Sequence, residues 1–600
     1  VSFGIFAQNE FPSRVAVDWE ATEVVVPPSP FQYQVIFIGG EDQVQTGINE
    51  SVPAKQWHDF IGFTPDDESD DLGWVTVNHE RINSNDSIGD GGGMTVFKVK
   101  RNEITDEIEV VEQTLDDGRE GKFFNIDFVN TVGETGMNCG GITSVVDGRI
   151  WTAEEWFRSD NESISALRDL SPFTINTDLV GDFNGQTIEK YQNFNYMVEV
   201  DPKQAVALRK QYNWGRQPFE GGTVMTDNKT VYLGADATPG IFSKFVAYQA
   251  GDFTNGKLYA YKHDAPGAPE DPWVELDNAS LHTMLNFTDE ALAKGATMFN
   301  RLEWVTNYDG KVYMTETGRD GIGSRFEDGI AKGGVLDYHW VKPVRMRNPA
   351  LEDKPEDQIV EIVKRGGFND YYGRVLEFDP ATGLVTTFLE GGPFFETSPE
   401  VGESYPEKHL SNPDGLNVMT VDGKSFMIIQ EDLNGTSNGR VPAGITNRTC
   451  ELYLLDLSIA EPTVDDLTRI SVVPVGAEVT GAHPTPDGKT LFVNSQHPST
   501  ENPFPYNNSL TYAITGWDVA ITAINDLQQE PAFPTEFRIW PNPVSRELRF
   551  NKAVDAAIYS ASGQRMKVFR NRESIDVSDL SRGIYFLNTD QGETRKLIIQ

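Results

Sequence analysis

Apolar residues in this chain fall in short runs separated by turn residues, and five of the runs share one form. A turn with Asp-Gly or Asn-Lys leads into an apolar stretch rich in β-branched and aromatic residues. The run then ends in an acidic or amide side chain. These are "DGRIWTAEEW", "DNKTVYLGAD", "DGKVYMTETG", "DGKSFMIIQED" and "DGKTLFVNSQH". Asp-Gly closes hairpins because its residues reach positive φ at little cost, so each run is predicted to be a strand returning from a hairpin turn. Further strand pairs fall between, as in "GRVLEFDPATGLVTTFLEG" and "CELYLLDLS". Helical periodicity is sparse, with "EALAKGATMF" near residue 290 as one short candidate. The five runs are unevenly spaced, which excludes a tight tandem array.

Repeated antiparallel units of this size predict an all-β fold, a six-bladed β-propeller with irregular insertions. Innermost strands of a propeller line a central channel, and their ends converge on one mouth. Glu155, Asp236, Glu316 and Glu431 end four of the recurring runs and are expected to meet there. The alternative is that each caps a strand at the surface. Near residue 530 the texture changes. "LQQEPAFPTEF" reads as a linker, and the alternating strands after it have the size of a small β-sandwich. The expected division is a propeller over 11–528, a linker over 529–537 and a C-terminal domain over 538–600. The opening "VSFGIFAQNE", residues 1–10, has the form of a secretory signal remnant.

Charge narrows the class of partner. The 600 residues carry 91 Asp and Glu against 50 Lys and Arg, a formal net charge of −41. Such a surface repels nucleic acid and anionic membranes and suits a high-salt medium or calcium-holding loops. No stretch has the 18 or so apolar residues of a membrane span. The two cysteines, Cys139 and Cys450, are too few for a disulfide framework, though one bridge between them is the simplest use. The chain is expected to work as a monomer.

Candidate chemistry lies in the carboxylates and Cys139. Glu80 ends the apolar "WVTVNHE" and precedes a loop rich in Asn, Asp and Gly, a setting that binds hard cations. Its neighbour His79 reads as a packed or surface histidine. Arg301 and Glu303 sit two apart in "FNRLEWV", on one face of a strand. Arg offers a planar fork for phosphate or carboxylate. Glu220 precedes Gly-Gly, where backbone can approach an ion, and Asp414 lies in the turn-like "SNPDGLNV". Cys139 stands before Gly-Gly without a Cys-x-x-Cys partner, which argues against structural zinc. No Ser, His and Asp triad stands out along the sequence. One thiolate among many carboxylates suits a mixed site, with a trivalent or transition metal at sulfur and calcium at oxygen.

In order, "WVTVNHE", "NCGGITSVVDGRIWTAEEW", "FEGGTVMTDNKTVYLGADATPGIFSKFV", "FNRLEWV", "NPDGLNV", "IIQEDLNG" and "GAHPTPDGKTLFVNSQHP" resemble the PhoX-type alkaline phosphatases, secreted β-propeller phosphomonoesterases. The resemblance implies a centre of Fe(III) and Ca2+ acting on phosphate esters. Cys139 would ligate iron, and Glu80, Glu155, Glu220 and Glu303 would bind or bridge metals. Asp236, Asp414 and Glu431 would add further ligands, and Arg301 would clamp the phosphoryl oxygens. This member departs from the family at Phe219, where His is usual, at Gly415, where an amide is common, and at the more acidic Glu316. "PNPV" at Pro541 to Val544, "YSASGQ", "LSRGIYFL" and the basic-then-apolar ending resemble the type IX secretion sorting domain, which implies export through that machinery. Two readings compete: another calcium-dependent propeller hydrolase, a lactonase or phosphodiesterase, and a calcium-stabilised surface-binding module.

Overall fold

The expected hairpins form. The computed structural model describes residues 15–517 and 539–599, apart from 29, 82–86, 90, 103–104, 156–169, 178–182, 264–270, 320–321, 337, 366–368, 403, 434–438, 446–448, 541, 543, 561–562 and 591–593. The expected signal remnant and the 529–537 linker lie outside these residues. Chain contacts divide the protein into two units, Val1–Thr522 and Ala523–Gln600.

The first unit is a six-bladed propeller. Blade 1 begins with the inner strand His58–Pro65, followed by Gly73–His79 and Met94–Arg101. Blade 2 runs from Asn138–Thr143 through Ile150–Glu154 and Met197–Asp201 to Val206–Lys210. Blade 3 starts with Phe219–Val224 and Thr230–Ala235, and blade 4 with Leu302–Tyr308 and Lys311–Glu316. Blade 5 starts with Pro413–Val421 and Lys424–Glu431, and blade 6 with Val479–Pro484 and Thr490–Ser495. The six inner strands neighbour one another in a closed ring. All five recurring runs of the sequence are second strands, in blades 2 to 6. Blade 1 lacks the Asp-Gly signal and was not marked by it.

Each inner strand slips register near its start. The irregularity lies between His58 and Ile61, Asn138 and Gly141, Phe219 and Gly222, Leu302 and Val305, Pro413 and Leu416, and Thr480 and His483. Such a bulge re-aims the side chains inside it. In blades 1 to 5 the residue after the first strand position is Asp59, Cys139, Glu220, Glu303 and Asp414; the equivalent residue of blade 6 is Thr480. The second strand then ends in a repeated bond to the residue before the inner strand. Glu80, Glu155, Asp236, Thr317, Asp432 and Gln496 donate N–H to the carbonyls of Trp57, Met137, Pro218, Arg301, Asn412 and Glu478. Glycine permits the close approach this ring needs: a Cβ at Gly140 would lie 1.7 Å from Glu220 O, and one at Gly221 would lie 2.8 Å from Trp304 Cα.

Short helices, Gly323–Ala331, Val341–Arg347 and Glu356–Lys364, are inserted between the second strand of blade 4 and its third, Arg374–Asp379. Of the helix candidate "EALAKGATMF", only the first four residues are helical, as the end of Phe287–Ala293; Thr297 and Phe299 form β-bridges instead. In the C-terminal unit five strands from Ile539–Trp540 to Thr594–Ile599 form an antiparallel sheet that buries Leu548, Ile558, Leu587 and Leu597.

An early strand closes the ring. Gln32–Ile38 pairs with Leu510–Thr515 as the outer strand of blade 6. Its Phe37 is fully buried and stacks on His58 and Phe123 of blade 1, each at 4.8 Å between ring centres. Phe37→Ala is expected to cost about 3–5 kcal/mol through lost burial and the cavity left behind. Urea denaturation of the variant measures this; an unchanged midpoint would mean that this strand does not close the ring.

Candidate metal centre

Bulge and alternation together decide which acids reach the channel. Successive strand residues point to opposite sides, so a carboxylate one place along the chain serves a different purpose. Three overlapping groups have ligand atoms that all lie within 4.8 Å of one another: Asp59, Glu80 and Cys139; Cys139, Glu155 and Glu220; Glu220, Glu303 and Asp414. Cys139 and Glu220 each belong to two, so the groups form one continuous arc. Every member but half-buried Glu80 is buried. Arg301 Nε contacts Asp236 Oδ1 at 2.8 Å, and its Nη2 contacts Glu303 Oε1 at 2.6 Å. Of the residues expected at the site, the structure brings together Cys139, Glu80, Glu155, Glu220, Glu303, Asp414, Asp236 and Arg301.

No bridge joins the cysteines. Cys139 is a free thiol whose Sγ donates to Asp59 Oδ2 at 3.0 Å. Cys450, also free and buried, accepts the Leu433 N–H.

Glu431 departs from the expectation, and so does Glu316. Both end their strands facing into the blade. Glu431 accepts N–H bonds from Ser411 at 2.9 Å and Glu451 at 3.2 Å. Glu316 accepts from Asn300 N–H at 2.7 Å and pairs with buried Arg374 at 2.5 Å. The next residue in each case, Asp432 or Thr317, takes the mouth-side position. The charge of Asp432 acts on Arg301, Glu303 and Asp414. His79 is a packed histidine, with Nε2 2.8 Å from Thr95 Oγ1.

Sequence reasoning missed Asp59, Asp432, Glu478, Thr480 and Gln496. Asp59 sits in "WHDFIGF", inside the bulge of the one blade whose hairpin carries neither Asp-Gly nor Asn-Lys. Thr480 Oγ1 donates to Asp59 Oδ1 at 2.7 Å, and Gln496 Nε2 donates to Asp59 Oδ2 at 3.0 Å and to Glu80 Oε2 at 2.8 Å. Blade 6 thus supplies neutral donors where the inner strands of the other blades supply a thiol or carboxyls. The departures from the family pattern have local reasons at two places. Phe219 is fully buried in the core between blades 2 and 3. A Cβ at Gly415 would lie 2.1 Å from Gln430 Nε2, so the glycine makes room for the Gln430 amide, whose Oε1 accepts Ala482 N–H.

These acids cannot all ionise side by side unaided. Burial, then neighbouring carboxylates, push Glu155, Glu220, Asp414 and Glu478 well above the usual carboxylate range. Glu303 is raised too, by burial against the pull of Arg301. Glu80 is pushed up to about 8 by burial and then by Asp59. Burial and the same acids raise the Cys139 thiol. Burial opposes the charge of Arg301, but Asp236 and Glu303 outweigh it. Glu155 Oε1 and Glu220 Oε2 are buried with no hydrogen-bond partner among the described residues. Unpaired buried acceptors around one thiol fit bound cations, and one guanidinium does not balance the set.

In overall fold the chain is similar to Pseudomonas fluorescens PhoX in complex with vanadate, described as a transition state analogue. The TM-score is 0.55 at 18% identity, over 85% of this chain and 99% of that one. Weaker likenesses are to Trypanosoma rangeli sialidase with the inhibitor DANA, at TM-score 0.35, 8% identity and 96% and 84% coverage. The PQQ-bound aldose sugar dehydrogenase of Streptomyces coelicolor follows at TM-score 0.30, 11% identity and 82% and 99% coverage. None of the curated proteins matches the sequence. Residues 538–600 match the secretion system C-terminal sorting domain, which directs the chain through type IX secretion to the cell surface or medium. Residues 13–499 match the family described as alkaline phosphatase PhoX, and with the arc of acids around Cys139, this chain belongs to the PhoX alkaline phosphatase family.

Proposed function

We propose that the chain is an exported phosphomonoesterase whose centre holds iron and calcium. The observation that carries this reading is the arc itself: one thiol and a run of buried carboxylates, with Arg301 as the guanidinium among them. Cys139 is the soft donor for a trivalent iron, with Glu155 and Glu220 beside it. Asp59, Glu80, Glu303 and Asp414 are hard donors suited to calcium or to bridging. When bound, these cations supply Lewis acidity toward phosphoryl oxygens and a water made acidic enough to attack.

The chain's own residues do the rest. Arg301 is fixed by Asp236 and Glu303 through Nε and Nη2, while its Nη1 makes no hydrogen bond among the described residues. That leaves one edge of the fork for a phosphoryl oxygen. Thr480 and Gln496 hold both oxygens of Asp59, and Gln496 ties Asp59 to Glu80, which fixes ligand geometry before a cation arrives.

Elemental analysis of the purified chain is expected to find iron and calcium, and p-nitrophenyl phosphate is expected to be hydrolysed. Arg301→Ala should lower kcat/KM by about 10²-fold, the loss typical of one preorganised charge-stabilising group. Cys139→Ser should lose iron and turnover together. A Cys139→Ser variant that keeps full activity, or a wild type that cleaves only diesters or lactones, would contradict the proposal.

Charge also sets the stability of the metal-free protein. Glu80 ionises near 4.5 when unfolded and about 8 when folded, so between these values the folded chain holds a proton that the unfolded chain has released. Stability therefore falls as pH rises through that window. Chelator-treated protein should show a Tm that drops from about pH 4.5 toward pH 8, and calcium should restore it at the upper end. A Tm in chelator that stays flat or rises over this window would mean that the acids are not crowded as described.

A further inference from the structure

The residue before the inner strand holds an equivalent place in all six blades, at the mouth: Trp57, Met137, Pro218, Arg301, Asn412 and Glu478. Four have a left-handed backbone, with φ of 60° at Trp57, 41° at Met137, 60° at Arg301 and 51° at Asn412. That conformation is strained for a bulky residue and persists where its surroundings enforce it. Asn tolerates it through its short polar side chain. Met137 is offset by burial, being 4% exposed, and Arg301 by its two carboxylates.

Trp57 is less enclosed than Met137 and no carboxylate holds it. The residue is 36% exposed, and among the described residues its ring contact is with His497, edge-on at 5.6 Å. Yet the backbone around it is pinned. Its N–H donates to Ser509 Oγ at 2.8 Å. The preceding Gln56 donates to Asn508 Oδ1 at 2.9 Å and accepts Ser509 N–H at 2.8 Å. The fold thus holds a strained backbone in place while leaving Trp57 partly open to solvent. The location gives that indole a use. Trp57 lies two residues before Asp59, and its carbonyl accepts the Glu80 N–H at 3.0 Å. His497 follows Gln496, with Nε2 3.6 Å from the Glu478 carboxylate. In a ring of six, blade 1 faces blade 4, so Trp57 stands across the mouth from Arg301.

Building on the phosphomonoesterase reading, we propose that Trp57, backed by His497, is a stacking platform for the leaving group. It makes the site selective for phosphate monoesters with a flat, π-rich leaving group, nucleoside monophosphates above all. Arg301 and the metal centre take the phosphoryl end, and the indole takes the base across the mouth. Any base has a π-face to offer, so the selectivity is for flatness rather than for one base. The two rings next to Glu478 also suit a base better than a carboxylate-bearing leaving group, which the acids around the mouth would repel.

The test compares adenosine 5′-monophosphate with glycerol 2-phosphate on the full-length, metal-loaded protein. Trp57→Asn places at this position the residue that blade 5 carries with the same backbone, so it relieves strain, and its Tm should hold or rise. The ratio of kcat/KM for the nucleotide over the glycerol ester should fall roughly 5- to 100-fold, the range for one lost stacking contact, with the change in KM rather than kcat. Trp57→Phe should recover most of the ratio. An unchanged ratio in Trp57→Asn, or equal losses on both esters, would overturn the platform. A wild type inactive on both esters would instead overturn the phosphomonoesterase reading, and the platform with it.

Discussion

Repulsion among buried carboxylates is the constraint around which this molecule is arranged. Five inner strands each deliver one thiol or carboxyl from the same strand position, and the ends of neighbouring strands add Glu80, Glu155, Asp236 and Asp432. Arg301 offsets only part of that charge. A scaffold that holds such a set together must be closed and stiff, because an open sheet would relax by spreading the acids apart. The ring closes with the early strand Gln32–Ile38, and Phe37 locks blade 6 against blade 1 beside the strand that carries Asp59.

One local device serves all six blades. In blades 1 to 5 a bulge at the start of the inner strand encloses the thiol or carboxyl, and in all six blades a backbone bond at the end of the second strand ties it to the residue before the inner strand. Evolution of the site then needs only substitutions at fixed places. In blades 1 to 5 the inner-strand place holds a thiol or carboxyl, and in blade 6 the two places hold Thr480 and Gln496, which position Asp59. Carboxylates one step out of phase do a separate job. Glu154 takes Lys210 at 2.6 Å and the Tyr196 N–H at 3.1 Å, as Glu316 takes Arg374 and the Asn300 N–H. Buried charges of this second kind are paired at once and help to anchor the loops above the strands.

Much of this was legible in the sequence because hairpin turns announce themselves. Asp-Gly or Asn-Lys before an apolar run located the second strand in five blades, and the repetition alone pointed to a propeller. Cys139 was conspicuous through its Gly-Gly, which the structure explains by the approach of Gly140 to the Glu220 backbone. What escaped notice was phase. Glu431 and Asp432 are adjacent, and only strand register decides which one faces the mouth. Asp59 escaped for a related reason: its bulge lies in the blade whose turn, "DDESDDLG", carries no hairpin signature. The inserted helices of blade 4 are too short to build a readable period; Glu356–Lys364 buries only Ile359, Val360 and Val363.

The most direct measurement is anomalous diffraction from crystals of the purified protein, collected at the iron edge and at a longer wavelength where calcium scatters. The account predicts iron density beside Cys139 Sγ and calcium density among the oxygens of Asp59, Glu80, Glu303 and Asp414. Anomalous peaks confined to the outer rim of the propeller, or a channel with no bound cation after loading, would contradict it.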